Sequence, residues 1–353
     1  MNGPRNCAGR STWLWLALQP AASACILMMN KEPTMPSVIP RRAALAATPP
    51  LLAATDATAQ PPQARGPLIW RDMDQAALDA AYDQGVYAPN RDQVLGRYAS
   101  NSALARAAMG APRREAYGSA AIEQLDIHRT SAASPAPVLI FIHGGAWRGG
   151  LARDYAFAAE CVLRAGAHLV VPDFSAVQDM GGDLLPIAQQ IRQAVAWVAR
   201  NAMGFGGDAS RIFIAGHSSG AHMAAVALTT DWSGWGLAPD VLKGGLLVSG
   251  LYDLRGARLS ARSHYVNFTD AMEEALSPQR HIGRLTAPVT VLHGSLETPE
   301  FQRMARDFAA EVAAAGKPVQ AIRGEGYNHF EIIETMANPY GLVGRAGLAM
   351  MGL

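Results

Sequence analysis

The sequence predicts an α/β fold: a mostly parallel eight-stranded sheet with helices on both faces, preceded by an N-terminal helical lid. Three observations predict it. Strand-like apolar runs alternate with helix-like runs from residue 137 onward, the pattern of βαβ units whose sheet is covered on both sides. One strand-like run, 211–215, ends in Gly216-His217-Ser218-Ser219-Gly220 and feeds a helix-forming stretch. An earlier one, 138–142, ends in His143-Gly144-Gly145-Ala146-Trp147.

The elements follow in order. The first 59 residues do not read as fold. Arg41-Arg42 precedes a modest apolar stretch, 43–54, broken by Pro49-Pro50, and Ala57-Thr58-Ala59 then stands as a small-residue cut site. This is the form of a secretory signal, and the paired arginines suggest the twin-arginine route. An exported protein, periplasmic or secreted and cleaved after Ala59, is expected. An upstream apolar patch, 13–29, is interrupted by Pro20 and too short to span a bilayer. Translation is therefore expected to start at Met35, with Met1 the alternative. Of the three cysteines, Cys7 and Cys25 precede the cut and leave Cys161 alone. It lies in a helical apolar pattern and reads as a small buried hydrophobe.

Residues 60–72 read as a linker, and 73–353 as one domain. Residues 73–82 and 92–109 have helical patterns with Asp or Asn near their starts. Coming before any strand, they are expected to cover the core or the site entrance as a lid, 73–109. Residues 114–117 and 122–128 look like an opening antiparallel pair. Further strands are predicted at 138–142, 168–172, 211–215, 244–249, 288–292 and 319–323, and helices between them at 152–165, 184–202, 219–229 and 300–315. The segment 254–282 fits neither period. It is taken as an insertion that walls the substrate pocket with Tyr265 and Phe268.

A strand that ends in G-x-S-x-G and opens a helix is the sequence form of a nucleophile elbow. The pentad alone carries little weight in a chain with 34 glycines. The glycine-rich loop at 143–147 adds the expected other half of an oxyanion hole, so the two together indicate an α/β-hydrolase. Ser218 needs a base, because a serine hydroxyl is a weak nucleophile at neutral pH. His329 follows the last strand and lies downstream of serine and acid, the order Ser…Asp/Glu…His. The acid is expected after the penultimate strand, where Glu297 sits at the strand's C-terminal edge. Asp253 is the rival and reads as a structural cap, while Glu300 reads as a helix N-terminal carboxylate. His217 and His222 read as packing residues; His217 also borders the pocket. His143 braces the oxyanion loop and His293 ends a strand. The oxyanion hole would use the N–H groups of Gly144 or Gly145 and of Ser219. Trp147 lines the pocket or belongs to the core.

No H-E-x-x-H, paired C-x-x-C or phosphate loop occurs, so neither metal nor cofactor is expected. With 30 basic and 29 acidic side chains the net charge is +1, which steers the chain towards neither nucleic acid nor acidic lipid. The expected partner is a small ester or amide. No stable membrane insertion is expected, and the oligomeric state, a homodimer included, stays open.

Taken together, HGGAW, GHSSG, SGLYDL, HGSLETPEF and GYNHFEI resemble kynurenine formamidase (arylformamidase)-like α/β-hydrolases. HGG and G-x-S-x-G are shared with hormone-sensitive-lipase-like esterases. The likeness runs from Met73 to the C-terminus and includes the Tyr87-Ala88-Pro89-Asn90 turn. It implies Ser218 as nucleophile, Glu297 as triad acid and His329 as base. Many relatives carry Asp at the acid position and an aromatic at Ala146, so a wider pocket is implied here. The activity expected is hydrolysis of short-chain or aryl carboxylic esters through an acyl-enzyme, with N-formyl aryl amides as the alternative substrates.

Overall fold

The computed structural model describes residues 66–353, Ser134 excepted. The signal-like segment, the cut site, Cys7 and Cys25 lie outside the described residues. Eight strands form one sheet: β1 (Arg113–Ala116), β2 (Gln124–His128), β3 (Ala136–Ile142), β4 (His168–Pro172), β5 (Gly207–His217), β6 (Leu242–Val248), β7 (Val289–Gly294) and β8 (Val319–Gly324). Their order is β1-β2-β4-β3-β5-β6-β7-β8. The β1–β2 and β2–β4 pairs are antiparallel, and every other pair is parallel.

Both faces of the sheet are covered. Every residue of β3 is buried, which is why its sequence is an unbroken apolar run rather than an alternating one. Side chains still alternate in direction. Val138, Ile140 and Ile142 join the core on one face, while Leu139 and Phe141 join the core on the other.

The helices among the described residues are α1 (Gln75–Ala81), α2 (Arg91–Met109), α3 (Ala159–Arg164), α4 (Leu185–Asn201), α5 (Ser219–Leu228), α6 (Leu254–Leu259), α7 (Asp270–Ala275), α8 (Pro299–Ala314), α9 (Glu331–Glu334) and α10 (Leu342–Met351). Among them no helix is long and apolar enough to cross a membrane. Three helical segments differ from expectation. The helix expected at 152–165 is a 3-10 segment, Ala152–Ala158, before α3. There the Phe157 N–H donates to the Ser102 hydroxyl of α2 (3.0 Å) instead of continuing an α-helical ladder. The insertion 254–282 is helical, in turns too short to show a period: α6, the 3-10 turn Ala261–His264, α7 and a 3-10 stretch from Pro278. Helix α10 was not foreseen. It and its start contain Gly341, Gly344 and Gly347, which weaken its helical signature. Two of them are required by close packing: a Cβ at Gly341 or Gly344 would stand 2.1 Å from a backbone oxygen.

The segment expected as a linker joins the fold through Trp70. Its ring packs against the core, and its indole N–H donates to Glu300 at the start of α8 (3.2 Å).

Candidate active site

Strand β5 runs into α5 through Ser218, whose backbone sits at φ 57° and ψ −124°. The flanking glycines are dictated by backbone contact. A Cβ at Gly220 would lie 2.1 Å from the Ile142 carbonyl oxygen, and one at Gly216 would lie 2.3 Å from that of Gly220. No side chain fits either place, so the strained turn needs both glycines. The Ser218 N–H donates to the Val248 carbonyl (2.9 Å), which clamps the elbow to β6.

The three residues expected to act together meet in space. Ser218 Oγ stands 2.9 Å from His329 Nε2, and His329 Nδ1 stands 3.1 Å from Glu297 Oε2. Glu297 and His329 are 1% and 3% exposed. The other carboxylate oxygen, Glu297 Oε1, accepts from the Ser249 hydroxyl and the Gly294 N–H, each at 2.6 Å. Those two donors anchor one oxygen and leave the second aimed at the imidazole. Ser249 follows β6 at φ 57° and escaped the sequence reading. Its only signal was its place at the C-terminal end of the strand beside β7.

The rival carboxylates lie elsewhere. Asp253 caps α6 by accepting from the Arg255 N–H (3.0 Å), and Arg280 approaches it at 3.8 Å. Glu300, in the first turn of α8, is gripped by Arg303 at 2.5 and 2.7 Å. His293 ends β7, with Nδ1 near the Gly294 carbonyl (3.1 Å).

The remaining histidines near the elbow are structural. His217 Nε2–H donates to the His329 carbonyl (2.8 Å), holding that residue's backbone. Burial first, and the neighbouring His329 second, push its pKa well below the usual imidazole range. His217 is thus held in its neutral form beside the His329 ring. His222 accepts the Trp147 indole N–H at Nδ1 (3.2 Å), so the proton on Nε2 goes to the Leu276 carbonyl (2.7 Å). Burial pushes its pKa down to about 4. His143 is stacked between Tyr155 and Phe174, with ring centroids 5.2 and 4.3 Å away. Its Nδ1 meets the Gly144 carbonyl (2.9 Å), which braces the glycine loop.

Along that loop Gly145, Ala146 and Trp147 all have positive φ: 126°, 54° and 60°. A Cβ at Gly145 would lie 2.1 Å from the Gly149 carbonyl oxygen. Gly145 and Ala146 face the cavity, while Gly144 packs behind it, against Ser218 and His217. Ser219 opens α5. The N–H groups of Gly145, Ala146 and Ser219 donate to no acceptor among the described residues.

Ser218 and His329 open into a cavity of ≈ 680 Å³. Tyr82, Gln84, Leu95 and Tyr98 from the N-terminal helices wall one side, and Arg262 and Tyr265 from the insertion wall another. Two pocket assignments need correction. Trp147 is 1% exposed and does not line this cavity, because its indole is committed to His222 in the core. Phe268 packs on the core and does not line it either. His217 and Tyr265 do. Arg91, Arg148 and Arg262 also border it, together with Asp79 and Asp83. Arg262 was missed because the insertion showed no period by which to orient its side chains.

The N-terminal helices are tied to the loops that carry Glu297 and His329. Gln84 pairs with Thr298, the residue after Glu297, through two contacts of 3.2 Å. Asn90 accepts from Asn328 (2.9 Å) and donates to Glu331 (2.6 Å), on either side of His329. Among the described residues no group of His, Cys, Asp and Glu is placed to hold a metal ion.

Residues 125–233 match the family described as BD-FAE. The chain is 28% identical to a kynurenine formamidase of Danio rerio over 295 residues, 80% of this chain and 98% of the relative. It is 27% identical to the esterase LipC of Mycobacterium tuberculosis over 229 residues, 58% of this chain and 56% of that one. The solved structure of the esterase LipW from Mycobacterium marinum aligns with a TM-score of 0.59 at 22% identity, covering 77% of this chain and 89% of the other. The fold is that of the α/β-hydrolases. The resemblance to kynurenine formamidases and esterases read from the motifs holds over most of the chain, and the protein is an enzyme of the hydrolase class.

Proposed function

We propose that this α/β-hydrolase is a serine esterase in which Ser218 attacks a carboxylic ester, with His329 as base and Glu297 as its orienting acid. The observation that carries this reading is the Ser218–His329–Glu297 chain of contacts, 2.9 and 3.1 Å, opening into the ≈ 680 Å³ cavity. His329 Nε2 takes the hydroxyl proton as Ser218 Oγ bonds the carbonyl carbon, and the carbonyl π pair moves to oxygen. The N–H groups of Gly145, Ala146 and Ser219 are suited to receive that oxyanion. Glu297 fixes the imidazole tautomer and stabilises the imidazolium. The imidazolium then gives its proton to the leaving alkoxide as the C–O bond breaks, leaving an ester on Ser218. His329 next deprotonates a water that attacks this acyl-enzyme, releasing the carboxylic acid and restoring Ser218.

A second reading, hydrolysis of N-formyl aryl amides, is favoured by the near full-length similarity to a kynurenine formamidase. It uses the same steps with an arylamine as leaving group. The test is a panel of p-nitrophenyl esters, aryl carbamates and N-formylkynurenine, assayed on protein lacking residues 1–59. Esters have the better leaving groups, so kcat/KM for a good aryl or short-chain ester is expected to exceed that for N-formylkynurenine. The reverse order would hand the function to the formamidase reading. Ser218→Ala should abolish turnover by several orders of magnitude, since nucleophile and base act as a unit. An organophosphonate should label Ser218 alone.

A further inference from the structure

The cavity above Ser218 holds a buried positive charge with no carboxylate against it. Arg262, on the 3-10 turn Ala261–His264, is 9% exposed and lines the same cavity as Ser218. Its Nη1 donates to the Tyr265 hydroxyl (3.0 Å) and its Nη2 to the Tyr82 carbonyl (3.1 Å). Its Nε has no acceptor among the described residues. Both partners are neutral: they satisfy hydrogen bonds without balancing the charge. Tyr82 supplies no phenolate, because burial drives its pKa upward. The rings of Trp147 and Tyr82 lie 5.4 and 5.8 Å from the guanidinium carbon and soften its desolvation, again without a counter-charge.

The carboxylates that border the cavity accept from donors other than Arg262. Asp79 accepts from the Ala261 N–H (2.6 Å) and from Gln75 (2.9 Å), and Asp83 accepts from the Gly85 N–H (2.8 Å). Neither bonds Arg262, whose guanidinium partners among the described residues are the Tyr265 hydroxyl and the Tyr82 carbonyl. A second guanidinium reinforces the same wall. Arg148 lies 4.8 Å over the ring of Tyr265, whose hydroxyl Arg262 grips, and it too lines the cavity. Buried guanidinium groups are normally paired with an anion, because an uncompensated charge out of water is costly.

We infer that the Arg262–Tyr265–Arg148 wall is an anion subsite, and that the substrate carries a carboxylate away from the carbonyl that Ser218 attacks. A carboxylate fits better than a phosphate dianion, since Asp79 and Asp83 border the same space and would repel the larger charge. The inference rests on the esterase reading for its substrate, whereas binding of the anion needs no turnover.

The test therefore reads both. Benzoate and its neutral isostere benzamide are titrated calorimetrically into the intact protein, and kcat/KM is measured for 4-acetoxybenzoate and 4-acetoxybenzamide. The wild type should bind benzoate at least about tenfold more tightly than benzamide and show a similar preference in turnover, the scale of a charge-assisted hydrogen bond. Arg262→Gln should bring both ratios close to one, and Arg262→Lys should keep part of them. Benzoate preference without turnover of either ester would overturn the esterase reading and support the subsite. Equal binding of benzoate and benzamide by the wild type would overturn the subsite whatever the esters do, even if Arg262→Gln fails to fold. Unchanged ratios in a folded Arg262→Gln protein would overturn it as well.

Discussion

In the proposed triad, the orientation of Glu297 depends on residues that never touch Ser218. Its Oε1 is held by Ser249 and Gly294, so the carboxylate cannot turn away from His329. Glu297→Gln is expected to lower kcat by a large factor, about 10⁴ where the equivalent swap was made in a serine protease. Asp253→Asn should instead lower stability slightly, because Asp253 caps α6. Steady-state kinetics and thermal melts of the two variants check this, and the opposite pattern would give Asp253 the acid role. A second side-chain consequence concerns acid. His222 has its folded pKa pushed down to about 4 by burial, whereas an unfolded histidine titrates near 6.5. Between those values the unfolded chain binds the proton and the folded one does not, so stability rises with pH. The contribution is full above pH 6.5 and is lost as pH falls towards 4, to about 3 kcal/mol for this one group. His217 and His143 are shifted in the same direction by burial. Denaturant unfolding from pH 7 to pH 4 should show a steep loss of stability; a flat profile would contradict it.

The N-terminal segment is hydrogen-bonded to the loops that carry Glu297 and His329. Trp70 reaches Glu300, Gln84 reaches Thr298, and Asn90 bridges Asn328 and Glu331. Tyr98 of α2 also donates to the Phe330 carbonyl (2.5 Å). Helices bonded to the loops of both Glu297 and His329 are suited to position those two side chains as well as to wall the cavity. Asn90→Ala should therefore act on His329 at a distance. It removes an acceptor and a donor from a half-buried network, a loss of about 1–3 kcal/mol. The expected outcome is a lower melting temperature and a several-fold fall in kcat with little change in KM. A change in KM alone would mean that the helices only form the entrance.

For the chain as a whole, residues 66–353 build a complete sheet and both of its apolar cores, Ser134 apart. Protein lacking residues 1–59 is therefore expected to fold and to keep full activity. The export signal read at Arg41-Arg42 and Ala57-Thr58-Ala59 makes a separate prediction, since those residues are outside the described part. N-terminal sequencing of the protein recovered from its native host should begin at Gln60. Replacing both arginines by lysine should leave the precursor inside the cell. Intact Met1 or Met35 on the native protein would overrule processing.

The sheet and the elbow were legible because they rest on local rules. A buried parallel strand needs an unbroken apolar run, and a strand-to-helix turn around Ser218 admits only glycine where Gly216 and Gly220 meet backbone. Chain order alone ranked Glu297 and His329 above their rivals, because that order follows from which strands end at the site. What stayed hidden depends on contacts between segments far apart in sequence. Ser249 matters because β6 lies next to β7. Trp147 leaves the pocket because His222 captures its N–H. Phe268 leaves it because the short turns of the insertion, whose pitch no periodicity announces, direct Arg262 and Tyr265 to the cavity instead. Helix and strand come from patterns within one segment; the charge and shape of the pocket come from which segments meet, and only packing sets that.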